Sequence, residues 1–408
     1  MKKASSAVFW FLKALIRPAL ARKYNFYVEQ DDSFKRPCLI MCNHQAGYDQ
    51  FAAGMPFSFG INYVASDSIF RHGFQSWLMK TLTRPIPFNK GTSDPTAIKN
   101  MIEVIADGGA VGIFPEGNRC YFGETMTVQP GTGRLAKKLN VPLILMRLRG
   151  GYLTKPRWKI KPNKGKVTIE IVKIVPTEEL AHMSNEEVQK LIETSLYVNE
   201  YEYNAEQKQE FLGKARAEHL EALLFYCPCC KTFDKLGSTK HDFYCTECGM
   251  RTTIDTYGLF SDTVEPERQN IIGLQALEQI EKFPTNILEW SKQQLSYVEN
   301  FDFSLYKETP VFKDDNIRFS IVVRAKKEKD VQKGTIALFS DRFKICDTTI
   351  MLSDIRGISI NEVRRLTIYT TTETYCVDTP LKYNLVKYMI CGYKIKHETE
   401  GKPAYYGY

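Results

Sequence analysis

What most limits the fold of this chain is a set of short apolar runs, each of strand length and each ending in a polar segment. Residues 37–42 form one, leading into Asn43-His44-Gln45-Ala46-Gly47-Tyr48-Asp49. Residues 110–114 form another, leading into Pro115-Glu116-Gly117-Asn118-Arg119. Runs this short, without polar alternation, predict strands covered on both faces. Further strands are expected at 61–65, 86–88, 141–148 and 166–174. Helical spacing fills the gaps at 73–82, from a Ser93 or Asp94 cap to Gly108-Gly109, at 132–139, and at 185–198 behind Ser184. Strands alternating with helices predict an α/β sheet with functional loops at its strand ends.

At 408 residues the chain has room for two or three domains. Its net charge of +8 hides an asymmetry, because residues 1–166 carry 25 basic against 10 acidic side chains and the remainder 30 against 37. A basic first part suits an anionic partner. Eleven cysteines, an odd number, fit reduced thiols and metal binding better than a disulfide framework.

Residues 1–24 combine Phe9, Trp10, Phe11, Leu12, Leu15, Ile16 and Leu20 with Lys2, Lys3, Lys13, Arg17, Arg22 and Lys23. As a helix they form an apolar face bordered by cations, suited to lying in an anionic membrane interface. Packing on the domain is the plainer reading. A signal peptide fits less well, because Lys13 and Arg17 interrupt the apolar run. The expected location is peripheral, on the cytoplasmic face of a membrane.

His44 and Asp49 are five positions apart, about 140° around a regular helix, so a helix alone would not join them. A strand-to-helix turn containing Gly47 lets the carboxylate meet one ring nitrogen and leaves the other as a general base. With no serine or cysteine inside the motif, the base is expected to act on a hydroxyl of the substrate. Gly117 permits close backbone approach, and Arg119 offers a planar fork for a phosphate, with Lys90 as a second cation.

Asn43–Asp49 as N-H-x4-D and Phe114–Arg119 as F-P-E-G-x-R resemble the first and third blocks of the glycerolipid acyltransferase family. Residues 86–91 sit where the second block falls and residues 141–144 where the fourth does, so the resemblance covers about 35–200. It implies transfer of a fatty acyl group from acyl-CoA or acyl carrier protein to a lysophospholipid hydroxyl, most directly that of 1-acylglycerol 3-phosphate. His44 would be the base and Asp49 its orienter. Lys90, Glu116, Gly117 and Arg119 would hold the phosphate. Direct transfer is implied, without an acyl-enzyme or a metal. Three positions depart from the family pattern, at Lys90, Asn118 and Leu145-Met146, and they bear on which lysolipid is the acceptor.

In the second half, Cys227 and Cys230, then Cys245 and Cys248, have the spacing of a zinc ribbon. Four thiolates would close the coordination sphere, so the zinc is expected to be structural; Cys229 and His241 are spare candidates. Zinc ribbons also contact nucleic acid, but the basic excess lies elsewhere, so nucleic acid is not expected as a partner. The rival reading is a zinc-ribbon binding protein whose first domain is inert. Seven alternating segments between 318 and 378, followed by a helix at 381–395, resemble the pleckstrin-homology or GRAM pattern; a protein-contact or structural module fits as well. The expected order is an interfacial helix (1–24), an acyltransferase domain (25–205), a helical linker (206–224) and a zinc ribbon (225–262). A helical connector (263–308), a mostly-β domain (309–396) and a tail (397–408) follow.

Overall fold

In the computed structural model the run at 38–42 is a strand, β1 (Cys38–Cys42), with every residue buried. The structure describes residues 5–26, 28, 33–66, 83–88, 94–261, 282–322, 329–361, 364–380 and 383–400. They fall into two units, Met1–Pro156 with Pro162–Leu212, and Arg157–Lys161 with Gly213–Gly407. The helix expected at 73–82, the cation Lys90 and the start of the helical connector lie outside the described residues.

The first unit contains a six-stranded sheet of β1, β2 (Ile61–Ser66), β3 (Ile86–Phe88), β4 (Ala110–Ile113), β5 (Leu143–Arg149) and β6 (Thr168–Val175), in the order β3-β2-β4-β1-β5-β6. The first five run parallel and β6 closes the edge antiparallel. Alternation along β1 separates two cores. Cys38, Ile40 and Cys42 join Ile144, Met146 and Leu148 of β5 on one face, together with Ala52, Ala53, Phe57 and Leu20. Leu39 and Met41 join Leu143 and Leu145 on the other, with Met101, Val104, Leu139, Val188 and Ile192 from the covering helices Pro95–Ala106, Thr132–Leu139 and Asn185–Leu196. Each fully buried aliphatic side chain contributes about 1.5–3 kcal/mol, so both faces hold β1 in register. Asp94 caps the first of those helices and Ser184 the third, the latter in a capping box with Glu187.

Met41 of β1 lies beside Ile113 of β4, and Cys42 beside Met146 of β5. The carboxyl ends of β1 and β4 therefore open side by side, where parallel α/β sheets present their ligands.

The helix Ser6–Tyr24 forms as expected, but Lys13 is not among its outward cations. Its amine is buried and donates to the Phe57 carbonyl at 3.0 Å. Leu20 and Tyr24 are also buried, while Trp10, Phe11 and Leu15 stay 44%, 64% and 60% exposed. Among the described residues no helix is long and apolar enough to cross a membrane. The helical linker expected at 206–224 does not form. The helix Glu200–Gln207 ends at Lys208, which is left-handed at φ 50°, and the Asn204 side chain bonds both backbone groups of Gln209. Beyond it only a 3-10 turn, Leu220–Ala222, is regular. Phe211, Ala217, Leu220, Leu223 and Leu224 are all buried, although the last four have helical spacing and form no α-helix.

The second unit holds a small sheet, β7 (Leu236–Thr239), β8 (Asp242–Cys245) and β9 (Arg251–Thr253), beside the helix Ile287–Asn300. Trp290 of that helix is fully buried and donates to the Tyr226 carbonyl. A seven-stranded antiparallel sheet follows: β10 (Phe312–Val322), β11 (Lys329–Leu338), β12 (Arg342–Ile345), β13 (Thr348–Met351), β14 (Ile355–Asn361), β15 (Arg365–Thr370) and β16 (Thr374–Asp378). Its order, β13-β12-β11-β10-β16-β15-β14, joins two meanders through β10 and β16. The last helix, Val386–Glu400, starts and ends about five residues later than the periodicity predicts and takes in residues assigned to the tail. Residues 386–393 are all buried, so its first two turns are covered on every side rather than along one apolar face.

Candidate active site

Where β1 ends, Asn43 takes over the sheet pairing with its side chain. Its Nδ2 donates to the Leu148 carbonyl at 2.9 Å and its Oδ1 accepts from Leu148 N at 2.7 Å. The next five residues, 44–48, curl into a turn closed by one oxygen. Asp49 Oδ2 accepts from Gln45 N at 2.5 Å and Ala46 N at 2.8 Å, and lies 2.7 Å from His44 Nδ1. Asp49 is fully buried, whereas the His44 side chain is 21% exposed. An oxygen already facing two backbone N–H groups sets Nδ1 as the protonated nitrogen, and proton exchange with a substrate falls to Nε2. The imidazole stacks on Phe114 at 4.4 Å, and Phe114 on Tyr63, which fixes the ring plane.

The second segment leaves β4 through Gly117, whose φ of 72° is left-handed backbone open to glycine. Glu116 is buried, its Oε1 accepting from His44 N at 2.5 Å and its Oε2 from Met126 N at 2.7 Å. Burial pushes its carboxyl up to about 8, against the lowering effect of those two backbone bonds. The His44 carbonyl in turn accepts from Cys120 N at 2.8 Å. Glu116 thus ties the two motifs together, its oxygens turned inward to backbone amides. The Arg119 guanidinium lies beside the first motif, with Nη1 3.5 Å from the point a Cβ on Gly47 would occupy.

Leu145 and Met146, one of the departures from the family pattern, are fully buried in opposite cores, Met146 beside Cys42 at the end of β1. Sequence reasoning missed three supports. The Asn43 clamp and the Gln45 side chain sit inside a motif read only for His44 and Asp49. Glu200 lies far along the chain with no local signal, yet its carboxylate accepts from Gln45 Nε2 at 2.6 Å.

In the second unit Cys227, Cys230, Cys245 and Cys248 place their sulfurs within 4.8 Å of one another. Cys227 and Cys248 are 3.8 Å apart and Cys230 and Cys245 3.7 Å, close to the edge of about 3.8 Å expected for a tetrahedron with 2.3 Å metal–sulfur bonds. The two pairs are built alike. Lys231 N bonds the Cys227 carbonyl and Gly249 N the Cys245 carbonyl, and both donors have left-handed backbones. Cys229 and His241 fall outside this group of four.

An α/β sheet presenting an aspartate-held histidine beside an arginine is suited to proton abstraction from a hydroxyl on an anionic substrate. Residues 24–148 match the family model described as Acyltransferase. The chain is 25% identical over 150 residues to the 1-acyl-sn-glycerol-3-phosphate acyltransferase of Bacillus subtilis, covering 36% of this chain and 72% of that one. It is 27% identical over 160 residues to the Saccharomyces cerevisiae protein of the same name, covering 38% and 52%. Among solved structures, the 1-acyl-sn-glycerophosphate (LPA) acyltransferase of Thermotoga maritima aligns with 42% of this chain and 68% of its own, at 20% identity and a TM-score of 0.36. The family match and the curated relatives support acyltransferase activity and a place in lipid biosynthesis.

Proposed function

We propose that the first unit is an O-acyltransferase moving a fatty acyl group from acyl-CoA or acyl carrier protein to the free hydroxyl of a lysophospholipid, with 1-acylglycerol 3-phosphate as the leading acceptor. The observation that carries this reading is the triple use of Asp49 Oδ2, which holds His44 by its Nδ1. Nε2 takes the proton of the acceptor hydroxyl as its oxygen attacks the thioester carbon. The new C–O bond forms, the C–S bond breaks, and the imidazolium returns the proton to the departing thiolate. Asp49 stabilises the imidazolium between these steps. Direct transfer fits the surroundings: Cys42 and Cys120 are the nearby thiols, and burial raises both well above the ordinary thiol range.

Arg119 and Lys90 would hold the phosphate, with the Gly117 backbone approaching it and Glu116 fixing the segment that carries Arg119. Lys90, Asn118 and Leu145-Met146 are the departures able to favour another lysolipid. An inert first domain on a zinc-ribbon binding protein is the weaker alternative, because it gives no reason for a paired base. Full-length protein incubated with labelled acyl-CoA or acyl carrier protein and a lysolipid panel should yield a diacyl phospholipid. No product with any donor–acceptor pair would sink the proposal.

For the second unit the reading is a structural zinc ribbon followed by a pleckstrin-homology- or GRAM-like module. The four-thiolate geometry supports the first, and two joined meanders closed by a helix support the second. Such a fold does not establish what it binds. For the first unit we also infer peripheral docking on an anionic membrane, on the cytoplasmic side. The exposed Trp10, Phe11 and Leu15 support this, as does an adjoining groove of about 780 Å³ lined in part by Leu15, Pro18, Arg22, Lys23 and Lys164.

A further inference from the structure

Glu200 is a fully buried carboxylate that the proton-transfer chemistry does not use. It opens the helix Glu200–Gln207, and its backbone N–H donates to the Gly123 carbonyl in the segment that follows Arg119. Its side chain accepts from Gln45 Nε2 at 2.6 Å and, through both oxygens, from Gly150 N at 2.8 and 2.9 Å. The other end of the Gln45 amide is committed too, Oε1 accepting from Gly151 N at 3.0 Å and Tyr152 N at 3.3 Å. There is no spare room, since a Cβ on Gly151 would meet Gln45 Oε1 at 2.7 Å.

Gln45 is therefore gripped at two points. Its amide is locked to Glu200 and the 150–152 backbone, and its own N–H is one of the three donors on Asp49 Oδ2. Resting on the acyltransferase reading above, we infer that Glu200 is a positioning residue for the His44–Asp49 pair, acting through Gln45. The polarity of the network makes the assignment specific. The Gln45 amide, its oxygen already pinned by two backbone donors, needs an acceptor at 200, and Gly150 N–H needs one beside it. Glutamine at 200 would set its N–H₂ either against the Gln45 N–H₂ or, with its oxygen kept on Gln45, against the Gly150 N–H.

Exchanging the two groups restores the pattern. In Gln45→Glu/Glu200→Gln, the carboxylate at 45 accepts from Gly151, Tyr152 and the new amide, whose oxygen accepts from Gly150. The test compares wild type, Glu200→Gln and the double variant as full chains, with circular dichroism to confirm folding. Two readouts are used: kcat and KM for both substrates, and the low-field proton resonance of His44 Nδ1–H, assigned by its loss in His44→Ala. Glu200→Gln should lower kcat about 10- to 100-fold with KM within about twofold, and shift or erase the resonance. The double variant should recover both. A Glu200→Gln protein with unchanged kcat and resonance, or a double variant as impaired as the single, overturns the assignment. If Glu200→Gln does not fold, Gln45→Met cuts the same link from the other side and is read in the same way. If wild type transfers no acyl group while the resonance follows the expected pattern, the functional reading fails and the positioning role stands.

Discussion

The carboxylate of Asp49 uses one oxygen for three contacts, so removing it disturbs both the imidazole and the turn that carries it. Asp49→Asn places an amide where two backbone donors converge, and we expect kcat to fall at least a hundredfold. His44→Ala should cost about 10²–10⁴ in kcat and leave the thermal midpoint within a few degrees of wild type, as scanning calorimetry would show. Glu116 makes a different prediction. Its carboxyl, raised by burial to about 8 from the usual range near 4.5, holds its proton in the folded state at pH values where the unfolded chain has released it. Glu116 therefore favours folding most below about pH 4.5, and that contribution is lost as pH rises through 8. Glu200, raised to about 7, acts in the same direction over a narrower window. In Glu116→Gln the decline of thermal midpoint between pH 5 and 8 should be shallower than in wild type; an equal slope would contradict the assignment. His44, Asp49 and Arg119 were legible because their types and spacing name a chemistry. Glu116 was legible only as a motif letter, since its direction depends on Met126 and His44 amides that no local pattern reveals.

At the level of elements, apolar runs buried on both faces were readable because they lack alternation, and the parallel strands sit where the runs lie, to within two residues. The stretch after Gln207 was not readable. Its charged and apolar residues suggest helical spacing, but the Asn204 grip on Gln209 turns the chain and the apolar groups settle individually. The N-terminal helix shows a subtler limit. Composition marked six cations as outward, and one of them, Lys13, spends its charge on a carbonyl inside. Trp10→Ala/Phe11→Ala/Leu15→Ala should therefore weaken sedimentation with anionic liposomes while barely changing stability. Lys13→Ala should lower the thermal midpoint and leave liposome binding nearly intact. The reverse pattern would show the helix to be a packing element.

On the scale of the whole molecule, each unit has its own framework. For the second, elemental analysis of the full chain should find one zinc per chain, lost in Cys227→Ser. Chelation should lower the thermal midpoint, since ordering four thiolates without metal costs what binding otherwise offsets. In the first unit β1 lies between β4 and β5, with alternate residues in two different cores. A single inserted residue between positions 38 and 42 would exchange those cores and swing the His44–Asp49 pair as a unit away from Glu116 and Cys120 of the second motif. Added residues in the connections between strands would leave the pairing as it is. The sheet thus acts as a ruler: drift in sequence can lengthen what lies between the motifs, but it cannot change the distance from either motif to its own strand.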